Sequence, residues 1–251
     1  MARIERDGVG IHYEVNGTGP AVLLSHGYSA TCRMWDGQVA ALSASWRVIT
    51  WDMRGHGQSD SPDDQGLYSE AHSIADMAAV LRACGETRAV IGGLSLGGVV
   101  SLGFHLRHPE MTRALMLFDT GPGFRDETAR AAWNAHAMQR ALDIEARGVA
   151  ALGARAETRA DEHRDVAGLA RAARGMLVST GDHLIRSLGT IAVPTLVLVG
   201  SEDTNFLAAT DYMARKIPNA TKVTIEGAGH AANLDKPEAF NRAVREFLSE
   251  L

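Results

Sequence analysis

The sequence predicts an α/β protein: a doubly wound, mostly parallel eight-stranded sheet with a helical cap inserted after the sixth strand. Three observations carry this expectation. Six short apolar runs, at 21–25, 48–51, 89–92, 114–119, 195–200 and 221–225, are continuous and not alternating, as strands buried on both faces of a parallel sheet require. Helical stretches at about 34–44, 70–83, 96–107, 206–217 and 236–250 lie between them, which argues for crossover helices on both faces. Between Gly121 and Thr190 no strand-like run interrupts a sequence rich in alanine and arginine, both strong helix formers.

The chain opens differently. Residues 3–6 and 9–15 flank Asp7-Gly8, and Asp-Gly suits a tight hairpin because glycine reaches positive φ without strain. These two antiparallel strands bring the sheet to eight. Asn16-Gly17-Thr18-Gly19-Pro20 then punctuates the chain before the first buried strand.

A length of 251 residues with 45% hydrophobic and 22% charged content can bury a sizeable core. It divides into a core of 1–121 and 190–251 and a helical cap of 122–189. That insertion is too long for an ordinary loop, and Gly148, Gly153, Gly168, Gly175 and Gly181 are the expected breaks between its helices. Ten of the 22 arginines fall between Arg125 and Arg186 together with nine acidic residues, the composition of a solvated helical surface laced with ion pairs.

A net charge of −5, from 25 basic against 30 acidic residues, excludes the footprint of a nucleic-acid binder. No apolar run approaches the roughly 18–20 residues of a membrane helix, so no membrane partner is expected. The segment Met1-Ala2-Arg3-Ile4-Glu5-Arg6 lacks the apolar stretch of a signal peptide. Cys32 and Cys84 stand apart without metal-ligand spacing and read as reduced thiols of a cytoplasmic protein.

The chemistry centres on Gly93-Leu94-Ser95-Leu96-Gly97, between an apolar strand and an apolar helix. A serine on so tight a strand-to-helix turn has its hydroxyl pushed out above the sheet edge, and its glycine neighbours avoid backbone collisions. The helix N-terminus offers N–H groups to a developing negative charge.

Serine is a poor nucleophile until a base takes its proton. His230, in Gly227-Ala228-Gly229-His230, follows the last strand on a loop able to return an imidazole across the sheet edge. His105, His136 and His163 read as helical surface or packing residues. The acid that orients the base is expected at Asp203, just past the strand before His230, with Asp119 and Glu202 as competing carboxylates. The order Ser95, Asp203, His230, each at a strand's carboxyl end, is the nucleophile–acid–base order of such a sheet.

Two further segments leave strand ends. Leu24-Ser25-His26-Gly27-Tyr28 sits where a second oxyanion donor is needed, and the backbone N–H groups of Tyr28 and Leu96 form the expected pair, with His26 structural. Asp52-Met53-Arg54-Gly55-His56-Gly57-Gln58-Ser59 reads as a loop whose charges and glycines fix its shape.

On these residues the chain resembles the α/β-hydrolase fold superfamily, in its compact lidded serine carboxylesterase and lactonase branch. The motifs run nearly end to end: His26-Gly27, Asp52-x-Arg54-Gly55-x-Gly57-x-Ser59, Gly93-x-Ser95-x-Gly97-Gly98, Gly200-x-x-Asp203 and Gly229-His230. The resemblance implies Ser95 as nucleophile, Asp203 as acid, His230 as base, and Tyr28 and Leu96 as oxyanion donors. Haloalkane dehalogenases and epoxide hydrolases carry aspartate where Ser95 stands. The Tyr28-Ser29 pair departs from the further glycines common in carbon–carbon hydrolases, and the pattern is similar to 3-oxoadipate enol-lactonases.

The expected function is hydrolysis of a small or medium carboxylic ester or lactone through an acyl-enzyme, with no metal or organic cofactor. Trp133, Met138 and Met176 are candidate liners of the substrate pocket. Two alternatives use the same triad: a hydrolase-like ligand receptor or signalling protein, told apart by turnover, and a carbon–carbon hydrolase or perhydrolase, told apart by a substrate panel.

Overall fold

The Asp7-Gly8 hairpin forms as its sequence dictates. β1 (Ala2–Arg6) pairs antiparallel with β2 (Val9–Asn16), Arg6 opposite Val9. Asp7 and Gly8 both take positive φ, 55° and 72°, the geometry that matches the twist of the flanking strands. The structure, a computed structural model, describes residues 2–153, 157–158 and 160–251.

Six further strands follow: β3 (Ala21–Ser25), β4 (Arg47–Trp51), β5 (Ala89–Leu94), β6 (Thr112–Phe118), β7 (Thr195–Gly200) and β8 (Ala220–Ile225). They form one sheet in the order β1-β2-β4-β3-β5-β6-β7-β8. β2 pairs antiparallel with β4, and every pairing from β4 to β8 is parallel. The continuous apolar runs mark its middle, since every residue of β3, β5 and β7 is buried. β8, at the edge, is half exposed and carries Lys222, a charge that blunts an open strand edge.

Alternate residues of each buried strand serve opposite faces. Leu23, Ile91, Leu115 and Val197 pack on one side against α2 (Glu70–Ala83), α3 (Leu96–Arg107) and α7 (Leu207–Lys216). Val22, Leu24, Val90, Met116 and Leu198 pack on the other against α1 (Asp36–Leu42), α8 (Ala232–Asp235) and α9 (Pro237–Ser249). There Phe240 stacks edge-on against Phe118, with ring centroids 4.7 Å apart.

Between β6 and β7 run α4 (Glu127–Arg147), α5 (Val166–Gly175) and α6 (His183–Ser187), and no strand occurs among the described residues of this insertion. Each of the first two starts on an aspartate cap, Asp126 to the Ala129 amide and Asp165 to the Ala167 amide, which satisfies otherwise orphaned N–H groups. Gly148, Gly153, Gly175 and Gly181 fall at or between helix ends, but Gly168 lies inside α5. It is not a break. A side chain there would collide with Ser61 and the Gly55 backbone, so this glycine exists to let α5 approach a core loop closely.

Because β3 to β8 run parallel, the chain leaves their carboxyl ends along one edge. His26, Asp52, Ser95, Asp119 and Asp203 all lie just beyond that edge, which is where open α/β sheets place their sites.

Candidate active site

Ser95 occupies the turn from β5 into α3 with φ 55° and ψ −116°, a left-handed conformation that costs a non-glycine residue of order 1–3 kcal/mol. The surroundings hold it there. Its N–H donates to the Phe118 carbonyl at 2.9 Å, and its own carbonyl accepts from Thr120 Oγ1 at 2.7 Å. A side chain on Gly93 would press into the Gly97 backbone, and one on Gly97 into the carbonyls of Ser25 and His26. The motif's glycines are thus steric requirements of the turn.

The register of β3 against β5 sets Ser25 opposite Gly93, so the segment leaving β3 passes beside Ser95. His26 anchors that segment from within: its Nε2 accepts from the Met53 amide at 3.0 Å and its Nδ1 bonds the Gly27 carbonyl at 2.7 Å. Burial lowers its pKa, against the opposing pull of Asp52, and the ring is a neutral structural strut. Tyr28 and Leu96 border the same cavity as Ser95. Leu96 opens α3, a position whose N–H has no intrahelical carbonyl to bond.

On the opposite side, His230 Nδ1 lies 2.8 Å from Asp203 Oδ2. Asp203 is buried in a loop folded on itself, its amide on the Gly200 carbonyl and its carbonyl receiving the amides of Phe206 and Leu207. The His230 loop is held in turn by the Gly229 amide on Asp235 and the Gly227 amide on Ser201. Phe206 stacks on the imidazole, centroids 5.2 Å apart and planes within 22°. Burial alone would favour a neutral His230, but the Asp203 hydrogen bond and charge outweigh it, so its pKa is raised above 6.5.

The competing carboxylates are placed elsewhere. Asp119 accepts the Gly200 amide at 2.8 Å through Oδ1. Burial pushes its pKa up to about 8, with Asp203 adding to the rise and the Gly200 amide and His230 opposing it. Glu202 is exposed at the cavity rim.

Ser95, Asp203, His230, Tyr28 and Leu96 all border one cavity of about 910 Å³. Its walls include Phe124, Trp133, Met176, Leu177 and Phe206. Trp133 is fixed there by an Nε1–H bond to the Leu177 carbonyl at 2.7 Å. Met138 is a correction to the sequence reading: it does not border the cavity, and its side chain is exposed. Ala137, Ala141 and Ile144 are the buried residues of α4, so the helix turns Met138 outward.

Sequence reasoning missed Phe206 and Arg140 at this site and misread His163, which lies outside the cavity lining. Phe206 is signalled only by an aromatic three residues after the acid. Arg140 is one of many insertion arginines, yet it borders the cavity with its guanidinium 6.0 Å from the Tyr28 ring. His163 is not helical; it lies in a bend between Glu162 and Asp165 and bonds two core loops.

One set of potential metal donors lies close together among the described residues: His12, Glu14 and Cys32, within 4.8 Å of one another. None of them borders the cavity, His12 is already 3.4 Å from Glu14, and burial and the nearby Asp52 keep the Cys32 thiol protonated. Among the described residues, no helix is long and apolar enough to cross a membrane.

Comparison with known proteins agrees with this architecture. The chain is 27% identical over 268 positions to 3-oxoadipate enol-lactonase 1 of Acinetobacter baylyi, covering 98% of this chain and 96% of that one. A hydrolase from Pseudomonas aeruginosa PA01 superposes with a TM-score of 0.81 at 30% identity, over 98% of this chain and 97% of the other. A thermophilic esterase from Thermogutta terrifontis superposes with a TM-score of 0.85 at 28% identity, over 100% and 99%. The model of the alpha/beta hydrolase family matches residues 22–243. The chain belongs to the alpha/beta hydrolase family and is a hydrolase.

Proposed function

We propose that this hydrolase cleaves a small or medium carboxylic ester or lactone through a Ser95–His230–Asp203 triad. The observation that carries the reading is the 2.8 Å Asp203–His230 bond in the cavity that Ser95 borders from its strained turn. Asp203 fixes the imidazole with its proton on Nδ1, leaving Nε2 free to accept the Ser95 proton as Oγ attacks the carbonyl carbon. The backbone N–H groups of Tyr28 and Leu96 receive the oxyanion, each such donor being worth about 3–4 kcal/mol in the transition state. Protonated His230 then delivers its proton to the leaving alcohol oxygen. A water deprotonated by the same nitrogen releases the acid and restores the serine. Similarity to an enol-lactonase and to an esterase supports an ester or lactone carbonyl as the target.

The helical insertion, residues 122–189, acts as a cap over this chemistry. Trp133 and Met176 supply apolar wall for the acyl or alcohol group, in a volume suited to a substrate of modest size. Both cysteines are unpaired and buried, which suits a reducing cytoplasm.

The test is hydrolysis of short p-nitrophenyl esters and lactones with labelling by a fluorophosphonate, read by intact mass. The wild type should turn over and take one adduct. Ser95→Ala should lose the adduct and about 10⁴–10⁶ of kcat. Turnover retained by Ser95→Ala would overturn the proposal.

A further inference from the structure

The loop that follows β3 is tied to the cap at three of four successive residues. Tyr28 Oη donates to the Leu169 carbonyl of α5 at 2.9 Å, Ser29 O lies 3.1 Å from His163 Nε2, and Thr31 Oγ1 donates to Glu162 at 2.6 Å. The same cap stretch grips the loop after β4. The Gly57 N–H donates to His163 Nδ1 at 3.0 Å, the Arg164 N–H to the Gly57 carbonyl at 3.1 Å, and Gln58 Nε2 to the Glu162 carbonyl at 3.1 Å. Residues 162–169 therefore form a seam across both loops, closed at its far end by the backbone contact of Gly168 with Gly55.

His163 is the centre of this seam, and its protonation state follows from its partners. A backbone N–H can only donate, so Nδ1 accepts from Gly57 and carries no proton. The proton of the neutral ring is then on Nε2, which donates to the Ser29 carbonyl. That carbonyl needs holding. Ser29 sits at φ 60°, a left-handed backbone that a serine keeps only where its surroundings impose it. The His163 and His56 rings meet in a T-shaped contact, centroids 6.0 Å apart, and His56 meets the Tyr28 ring likewise at 5.7 Å.

Given the reading that the Tyr28 N–H receives the oxyanion, on which this inference rests, we propose that His163 is a positioning residue for that donor. Its Nε2–H, through Ser29, holds the oxyanion loop in its working shape and makes that shape depend on how the cap is seated. The residue touches no reacting atom, so its removal weakens stabilisation of the transition state and leaves ground-state binding in the cavity intact.

Two amide isosteres separate the two bonds of the ring. His163→Asn places a carbonyl oxygen near the Nδ1 position, keeping an acceptor for Gly57, but cannot reach Ser29. His163→Gln places an N–H donor near the Nε2 position and retains the Ser29 bond. The expected result is a kcat about 10–100-fold lower for Asn, part of the 10²–10³ that one oxyanion donor is worth, with KM unchanged. Affinity for a boronic acid transition-state analogue should fall in parallel, and Gln should restore both. Amide hydrogen exchange at residues 28–31 should speed up in Asn and not in Gln. Equal kcat and boronate affinity in the two variants, the reverse order, or unaltered exchange at 28–31 would overturn the proposal. A wild type that neither hydrolyses esters nor takes the fluorophosphonate would instead sink the triad reading, and the exchange experiment would still decide whether His163 holds the loop.

Discussion

Asp203 reaches the His230 imidazole at 2.8 Å, whereas Asp119, at the end of the neighbouring strand, turns a carboxylate oxygen to the Gly200 amide. The two acids thus hold different partners. Asp203→Asn should lower kcat by about 10⁴, since the amide cannot hold the imidazole in the required tautomer. With a pKa of about 8, Asp119 is mostly protonated at neutral pH, and Asp119→Asn, a near copy of that form, should retain most activity. The reverse ranking in ester hydrolysis would move the acid's role to Asp119.

Asp119 also makes stability depend on pH. Its folded-state pKa of about 8 lies above the ordinary 3.8, so the folded state holds the proton more tightly. The stabilisation is full below about 3.8 and is lost as pH rises through 8. Asp119→Asn removes this dependence, and its melting temperature should fall less between pH 6 and pH 9 than that of the wild type.

In the proposed triad His230 must be neutral to act as base, and its pKa is raised above 6.5 because Asp203's hydrogen bond and charge outweigh burial. The acid limb of kcat/KM for the free enzyme should therefore have its midpoint above 6.5. A midpoint below that value, measured with an uncharged ester, would contradict the geometry.

A buried ion pair underpins the loop after β4. Arg54, 1% exposed, donates from Nε and Nη2 to the fully buried Asp76 at 2.7 and 2.9 Å, and Arg6 Nε joins the same carboxylate at 2.5 Å. Asp76→Ala leaves buried Arg54 with only the half-exposed Asp7, 3.7 Å away, and should cost about 3–5 kcal/mol in urea unfolding. Loss of activity should follow loss of folded protein.

Trp133 and Met138 test the outline of the pocket. Trp133→Ala opens the wall beside Leu177 and should raise KM and shift the preferred acyl length upward. Met138→Ala, on the outer face of α4, should leave both kinetic constants unchanged. A shift of acyl preference in Met138→Ala would mean that the helical insertion seats differently in solution.

What was legible in the sequence was what a short run of residues announces by its own pattern. Asp7-Gly8 makes its turn, Gly93 and Gly97 surround a strained serine, and continuous apolar runs become buried parallel strands, each feature carrying its signature within a few consecutive residues. The face of α4 was not legible. Two of its larger apolar residues, Met138 and Leu142, are exposed, while Ala137, Ala141 and Ile144 are buried, a choice of face set by packing against α5 and not by side-chain size. Gly168 and His163 were misjudged for a related reason. Their partners, Gly55, Gly57 and Ser29, lie more than a hundred positions away in sequence, and nothing local announces them.

The seam along residues 162–169 bears on how such a protein can be altered. A helical insertion between two adjacent strands looks like an interchangeable part, open to replacement by a relative's to obtain a new specificity. Here the join is shared property: Gly168 fits because Gly55 has no side chain, and Glu162 and His163 meet Thr31, Ser29 and Gly57. A graft limited to residues 122–189 would discard half of each contact. Retaining a competent enzyme after such an exchange requires carrying the loops at 26–33 and 53–60 along with the new insertion, as one inherited unit.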